Sequence, residues 1–221
     1  MRQSRSFALL LLAAALAVPA VALDERVDFR VGGGAILPAG AAADRFETGW
    51  QLTGGVGWAL GESLGLRLDY AYSDERLIGH ALPQAFVNGS HVMHALEADV
   101  KWTLTPQGPA PVYMVGGLGL YRQKTAITSV RDYEPVGPIC DPWLQVCSAG
   151  PVPAGTILGS RSSTDPGLDL GVGVEVPIRG RLRFVFEARW RFVWGDTYGL
   201  PGEGEKRARA SYFPLTLAVR F

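Results

Sequence analysis

Thiols and imidazoles are scarce in this 221-residue chain, which carries two cysteines and three histidines. Two thiols supply too few ligands for a structural metal site, and no c-type haem motif accompanies them. Charge of one sign is not in excess either: 21 Lys and Arg stand against 21 Asp and Glu. That balance gives no electrostatic footing for nucleic acid or for an acidic partner. Long hydrophobic runs are missing beyond Ala22, where no stretch of about 18 apolar residues occurs to cross a bilayer as a helix. Helix-forming periodicity does not follow Gly32-Gly33-Gly34 or Gly54-Gly55-Val56-Gly57, so neither has the context of a dinucleotide site.

The N-terminus reads as a secretory signal. Arg2 and Arg5 precede an apolar run from Phe7 to Val18, and Ala20-Val21-Ala22 offers small residues for cleavage. Cleavage is expected after Ala22, giving a signal peptide over 1–22 and a mature domain over 23–221. No cysteine lies near that point to carry a lipid anchor. The mature part then holds 19 basic and 21 acidic residues. It either dissolves outside the cytoplasm or enters a membrane as strands, which span only as a closed barrel.

Period two dominates the mature chain. In Arg181–Trp194, Leu182, Phe184, Phe186, Ala188, Trp190, Phe192 and Trp194 take one face, and Arg181, Arg183, Glu187, Arg189 and Arg191 take the other. A strand separates these sets and a helix mixes them. Seven further segments alternate likewise: Arg26–Ala35, Trp50–Leu60, Leu64–Ser73, His91–Leu104, Ala110–Arg122, Pro166–Ile178 and Ala210–Phe221. Connections alternate in length. Gly61-Glu62-Ser63, Pro106-Gln107-Gly108-Pro109 and Arg179-Gly180 are tight turns, while Ile36–Gly49, Asp74–Ser90, Gln123–Asp165 and Gly195–Arg209 are long links. The expectation is an all-β, eight-stranded antiparallel up-and-down transmembrane β-barrel with both termini on the short-turn side.

A soluble barrel of lipocalin type would alternate as well, with its apolar face inside. Glycine argues for the reverse orientation. Gly32, Gly34, Gly55, Gly57, Gly117, Gly119, Gly171 and Gly173 share the polar face. Glycine weakens a strand without benefit on a watery surface, but makes room inside a narrow barrel. Aromatics on the apolar face gather near strand ends: Trp50, Tyr70, Tyr72, Trp190 and Trp194 toward the long loops, and Phe29, Trp58, Trp102 and Phe221 toward the short turns. Two such girdles suit two membrane interfaces.

With these features, and with alternation running to a final Phe221, the chain resembles the outer-membrane β-barrel family, in the manner of its small OmpA and OmpX type. The resemblance covers the whole mature chain and rests on pattern rather than on a motif unique to one member. It implies an outer-membrane location in a Gram-negative bacterium and contact with membrane lipid and lipopolysaccharide. It also implies insertion by the barrel-assembly machinery, for which the terminal Phe serves as a signal. Pro214 departs from the pattern, since it cannot donate a ladder hydrogen bond; it is placed near the outer end of the last strand.

Alternation lists the charges expected in the lumen: Arg30, Arg67, Lys101, Arg181, Arg183, Arg189, Arg191 and Arg220 against Asp28, Asp69, Glu97, Asp99, Asp169, Glu175 and Glu187. Near balance points to a plugged, ion-paired interior, because a buried unpaired charge costs several kcal/mol. A narrow ion path remains the sharper alternative. Cys140 and Cys147 share the longest link with five prolines and are expected to form a disulfide in an oxidising compartment. His91 and His94 lie three apart on one strand and so face opposite ways, a poor chelate.

Lipid A deacylases of similar architecture place His and Ser two apart, and no histidine here has that neighbour. Only His80, with Asp74 or Ser90, offers a faint likeness to the palmitoyltransferase type. The reading is a monomeric, non-enzymatic envelope barrel without cofactor or metal, serving a structural or surface-interaction role through four outer loops. An OmpW-like channel is the first alternative and a lipid A-modifying enzyme the second.

Overall fold

Hydrocarbon satisfies no backbone N–H or C=O, so a sheet with one apolar face and open edges has to close upon itself to sit in lipid. The computed structural model describes residues 26–78, 87–129, 133–141, 146–152, 157–200 and 204–221. The strands in chain order are β1 (Val27–Ala39), β2 (Gly49–Ala59), β3 (Leu64–Arg76), β4 (Val87–Thr103), β5 (Val112–Ser129), β6 (Tyr133–Asp141), β7 (Val146–Val152), β8 (Ile157–Arg179), β9 (Leu182–Leu200) and β10 (Gly204–Arg220). Eight of them form one closed antiparallel barrel, while β6 and β7 pair separately as a ribbon within the β5–β8 connection. Closure joins β1 to β10, from Arg30 opposite Arg220 to Ala39 opposite Ser211. Phe29 and Phe221 extend that seam by exchanging backbone hydrogen bonds of 2.9 Å.

The pleat sorts side chains as the alternation requires. On β9, Phe184, Phe186, Trp190 and Trp194 are turned out and 36–49% exposed, while Val185, Glu187, Arg189, Arg191 and Val193 are at most 5% exposed. An exposed apolar band on the outside and buried charge within is the inverse of a soluble barrel.

Several strand ends differ from the sequence expectation. β4 begins at Val87, β5 runs on to Ser129, β8 begins at Ile157, β9 reaches Leu200 and β10 begins at Gly204. Much of the four long links is therefore strand. Past the apolar band the outer face no longer meets hydrocarbon and the contrast fades, yet the ladder continues because its backbone groups still need partners. Pro214 lies well inside β10, opposite Ile36 of β1. The ladder to β9 skips Phe213 and Pro214, resuming at Leu215 opposite Ala188. Arg181 belongs to the exposed turn after Gly180 and not to the lumen. Gly180 adopts φ 59°, which a side chain would disfavour, and so reverses the chain between Arg179 and Leu182.

After β1 the chain makes a short 3-10 turn over Gly40–Ala42 and folds back, with Phe46 N–H donating to Ala42 O at 2.9 Å. Ala42 and Phe46 are buried in an apolar cluster with Ile36, Met93, Val193 and Tyr212. These apolar side chains occupy inward positions at the long-loop end, so the interior is layered: apolar at that end, charged elsewhere. The sequence reading did not anticipate the apolar layer.

Candidate functional site: the charged barrel interior

Arg189 is the hub of the charged layer. Its Nη1 donates to Glu97 Oε2 (3.1 Å), Asp99 Oδ2 (2.8 Å) and Asp169 Oδ2 (2.9 Å), its Nη2 to Asp69 Oδ2 (2.9 Å) and its Nε to Glu187 Oε1 (2.7 Å). Arg30 and Arg67 each bind both Asp69 and Glu187, at 2.6–3.1 Å. Arg191 Nε donates to Glu97 Oε1 at 2.6 Å. Four guanidinium groups thus interlock with five carboxylates contributed by β1, β3, β4, β8 and β9. Arginine suits this place because its planar fork engages several oxygens at once. The trio Glu97, Asp99 and Asp169 gathers its oxygens within 4.8 Å, as a metal site would. Arg189 Nη1 already bonds to all three, so an ion would have to displace a guanidinium.

Two tyrosines brace the network. Tyr113 donates to Glu187 Oε2 at 2.5 Å, and Tyr121 to Glu97 Oε1 at 3.0 Å. Lys101 Nζ stands 4.5 Å from the Tyr113 ring centre, and the Arg191 guanidinium 5.4 Å from that of Tyr121. The inward glycines accommodate these groups. A methyl group at Gly119 would meet the Tyr121 ring at 2.6–2.8 Å, and one at Gly173 would overlap the Tyr113 ring. Gly55 and Gly117 make room in the same way for the carboxylates of Asp69 and Asp99. Sequence reasoning misses Tyr113 and Tyr121; their place in phase with the glycines of β5 is the available signal.

At the short-turn end Glu175 accepts from Lys101, Arg183 and Arg220, and Arg220 also pairs with Asp28 at 3.0 Å. A vestibule of about 170 Å³ opens there, lined by Asp28, Arg67, Lys101, Glu175, Arg183 and Arg220 among others. Arg183 is partly exposed at this rim.

At the long-loop end, beyond Tyr72 and His94 and so past the apolar band, His91 faces inward. Its Nδ1 lies 2.8 Å from Thr125 Oγ1 and its Nε2 3.4 Å from Tyr212 Oη, under the Phe46 ring at 4.4 Å. Glu75 stands opposite His91 across the β3–β4 pair, buried, and neither carboxylate oxygen is hydrogen-bonded among the described residues. Burial pushes the Glu75 carboxyl up to about 8 and the His91 imidazole down to about 4, so both are uncharged at neutral pH.

The outward aromatics form two rims. Trp50, Tyr72 and His94 follow one another around the long-loop rim at centroid distances of 5.4 and 5.2 Å, with Tyr70, Trp190 and Trp194 also turned out. Trp58 and Trp102 are exposed at the other rim, where Phe29 stacks on Phe221 at 6.2 Å. In the ribbon, residues 140 and 147 are opposite one another in register. The expected bond between the Cys140 and Cys147 side chains lies outside what is described, as do His80 and the signal segment over 1–22.

No curated protein matches the chain in sequence. Among solved structures it is similar to Neisserial surface protein A (NspA), at 12% identity over 89% of this chain and 96% of that one, with a TM-score of 0.52. It is also similar to a major outer membrane protein from Thermus thermophilus, at 17% identity over 88% of this chain and 98% of that one, with a TM-score of 0.55. Identities this low speak to the fold alone. The family model described as "Outer membrane protein beta-barrel domain" matches residues 8–221. With the apolar band outside and the charge within, that match makes the chain a member of the outer-membrane β-barrel domain family, resident in the outer membrane of Gram-negative type.

Proposed function

We propose that this barrel is a non-enzymatic envelope protein that works by its outer surface, through strand extensions and loops that meet other cells, surfaces or molecules. The observation that carries the reading is the filled interior. Its central charges are engaged with one another, and the Phe46 turn packs over the long-loop end. Function then falls to segments held beyond the membrane on a rigid scaffold, above all the β6–β7 ribbon. The similarity to a protein named for the bacterial surface agrees with this reading. Outer-leaflet lipopolysaccharide is the constant neighbour of such a barrel, and the barrel-assembly machinery its partner during insertion.

The test is to display the protein on a heterologous Gram-negative host, with and without residues 133–152, and to measure attachment to epithelial cells and cell–cell aggregation. Gain of either property with the intact chain, lost on ribbon removal while the barrel still folds, supports the proposal. Unchanged attachment contradicts it. Altered lipid A in the expressing cells, read by mass spectrometry, would favour the enzyme reading. A small channel is the second reading, favoured by the polar vestibule at the short-turn end.

A further inference from the structure

The long-loop rim of β4 and β5 breaks the apolar outer face with cations. Leu118 and Leu120 are exposed outward residues of β5, and the next two on that face are Arg122 and Lys124. Both are exposed, and neither makes an ion pair among the described residues. Arg122 lies opposite His94, and His94 opposite Tyr72, so this cation stands in the ladder row of the aromatic rim itself. His94 is held through Nδ1 by Tyr70 Oη at 2.7 Å, which leaves its Nε2 available. The acidic group on this face nearby is Asp74, which the register places in the row of Lys124.

A guanidinium and an ammonium exposed at the edge of hydrocarbon stand at the level of the lipid headgroups, where anionic groups attract them. Residues two apart on a strand stand about 7 Å from one another and neighbouring strands about 4.8 Å, a span that suits one phosphate-bearing sugar. We infer that Arg122, Lys124 and His94 form a docking site for a phosphate monoester on an outer-leaflet glycolipid, with Tyr70 positioning the imidazole. Arg122 supplies a fork matched to two phosphate oxygens, and Lys124 a compact charge beside it. The chemistry selects the phosphorylated glycolipid over a phosphodiester lipid because the monoester carries more charge and more acceptor oxygens. The site rests on the outer-membrane placement and is independent of the ribbon, so failure of the attachment experiment leaves it standing.

The test is urea unfolding of the refolded mature protein in phosphatidylcholine vesicles, with purified hexa-acyl lipid A added, and with dephosphorylated lipid A, phosphatidylglycerol or inorganic phosphate as separate arms. Lipid A is expected to slow unfolding of the wild type several-fold, and the other three to leave it near the phosphatidylcholine rate. Arg122→Gln/Lys124→Gln should fold, because both side chains face outward, and should lose the protection. Arg122→Lys/Lys124→Arg should keep most of it, and Arg181→Gln in the opposite turn should keep all of it. Equal protection by phosphatidylglycerol, protection that survives the double Gln substitution, or no protection of the wild type would each overturn the inference.

Discussion

Replacing Arg189 with methionine removes the hub of the interior at nearly constant volume. The consequences can be followed carboxylate by carboxylate. Glu97 keeps Arg191, while Asp69 and Glu187 keep Arg30 and Arg67. Asp99 and Asp169 lose the cation that binds them, and the second oxygen of each has no hydrogen-bond partner among the described residues. Removing one member of a buried pair costs about 3–5 kcal/mol because the other charge is left behind, and here two charges are stranded together. Arg189→Met should therefore lower unfolding stability by at least about 3 kcal/mol at neutral pH. Arg183→Met, at the partly exposed rim where Glu175 keeps Lys101 and Arg220, should cost less than about 1 kcal/mol. The assay is equilibrium urea unfolding in lipid vesicles, followed by tryptophan fluorescence. Adding Asp99→Asn and Asp169→Asn to Arg189→Met should recover much of the loss. A cost below about 1 kcal/mol for Arg189→Met, or no recovery in the triple variant, would refute the hub.

Four further outcomes are expected. Burial raises the Glu75 carboxyl to about 8 from an ordinary 4.5, so the folded state holds that proton more tightly than the unfolded chain and stability declines as pH rises between those values. Glu75→Gln should remove that decline while leaving the acid-side loss between about 6.5 and 4 that follows from His91; an unchanged stability profile from pH 5 to 9 would contradict it. Phe186→Arg sets a charge in the middle of the apolar band and should cost about 2–4 kcal/mol. Gly119→Ala drives a methyl group into the Tyr121 ring and should cost about 1–3 kcal/mol, with loss of ring order by NMR; a neutral result for both would reverse the assignment of faces. The opposed register of Cys140 and Cys147 leads us to expect no titratable thiol in the folded protein, and two reactive thiols would refute the bridge.

The barrel was legible because lipid imposes contrast. Where a strand has hydrocarbon on one side and a packed lumen on the other, period two is written in Leu, Phe and Trp against Arg, Asp and Gly. Above the apolar band the signal fails for a physical reason. In β5, Arg122 and Lys124 face out while Gln123 and Thr125 face in, so both faces read as polar and the segment resembles a loop.

Parity placed Arg30 and Glu187 in the lumen, but strands far apart in sequence bring them to 3.1 Å, and pairing across a barrel depends on register that no local pattern carries. The apolar layer around Ile36, Met93 and Val193 was hidden because these residues sit in phase with charges and look like exceptions until Phe46 folds onto them. Arg181 shows the opposite error. The two-residue turn sits one position later than expected, at Gly180-Arg181, and takes Arg181 out of the strand.

The central claim is that the interior is filled and closed. Planar-bilayer recording of the mature protein, refolded in detergent and verified by its unboiled gel shift, tests it most directly. The filled interior predicts a silent membrane; reproducible single-channel steps from the folded barrel would contradict it.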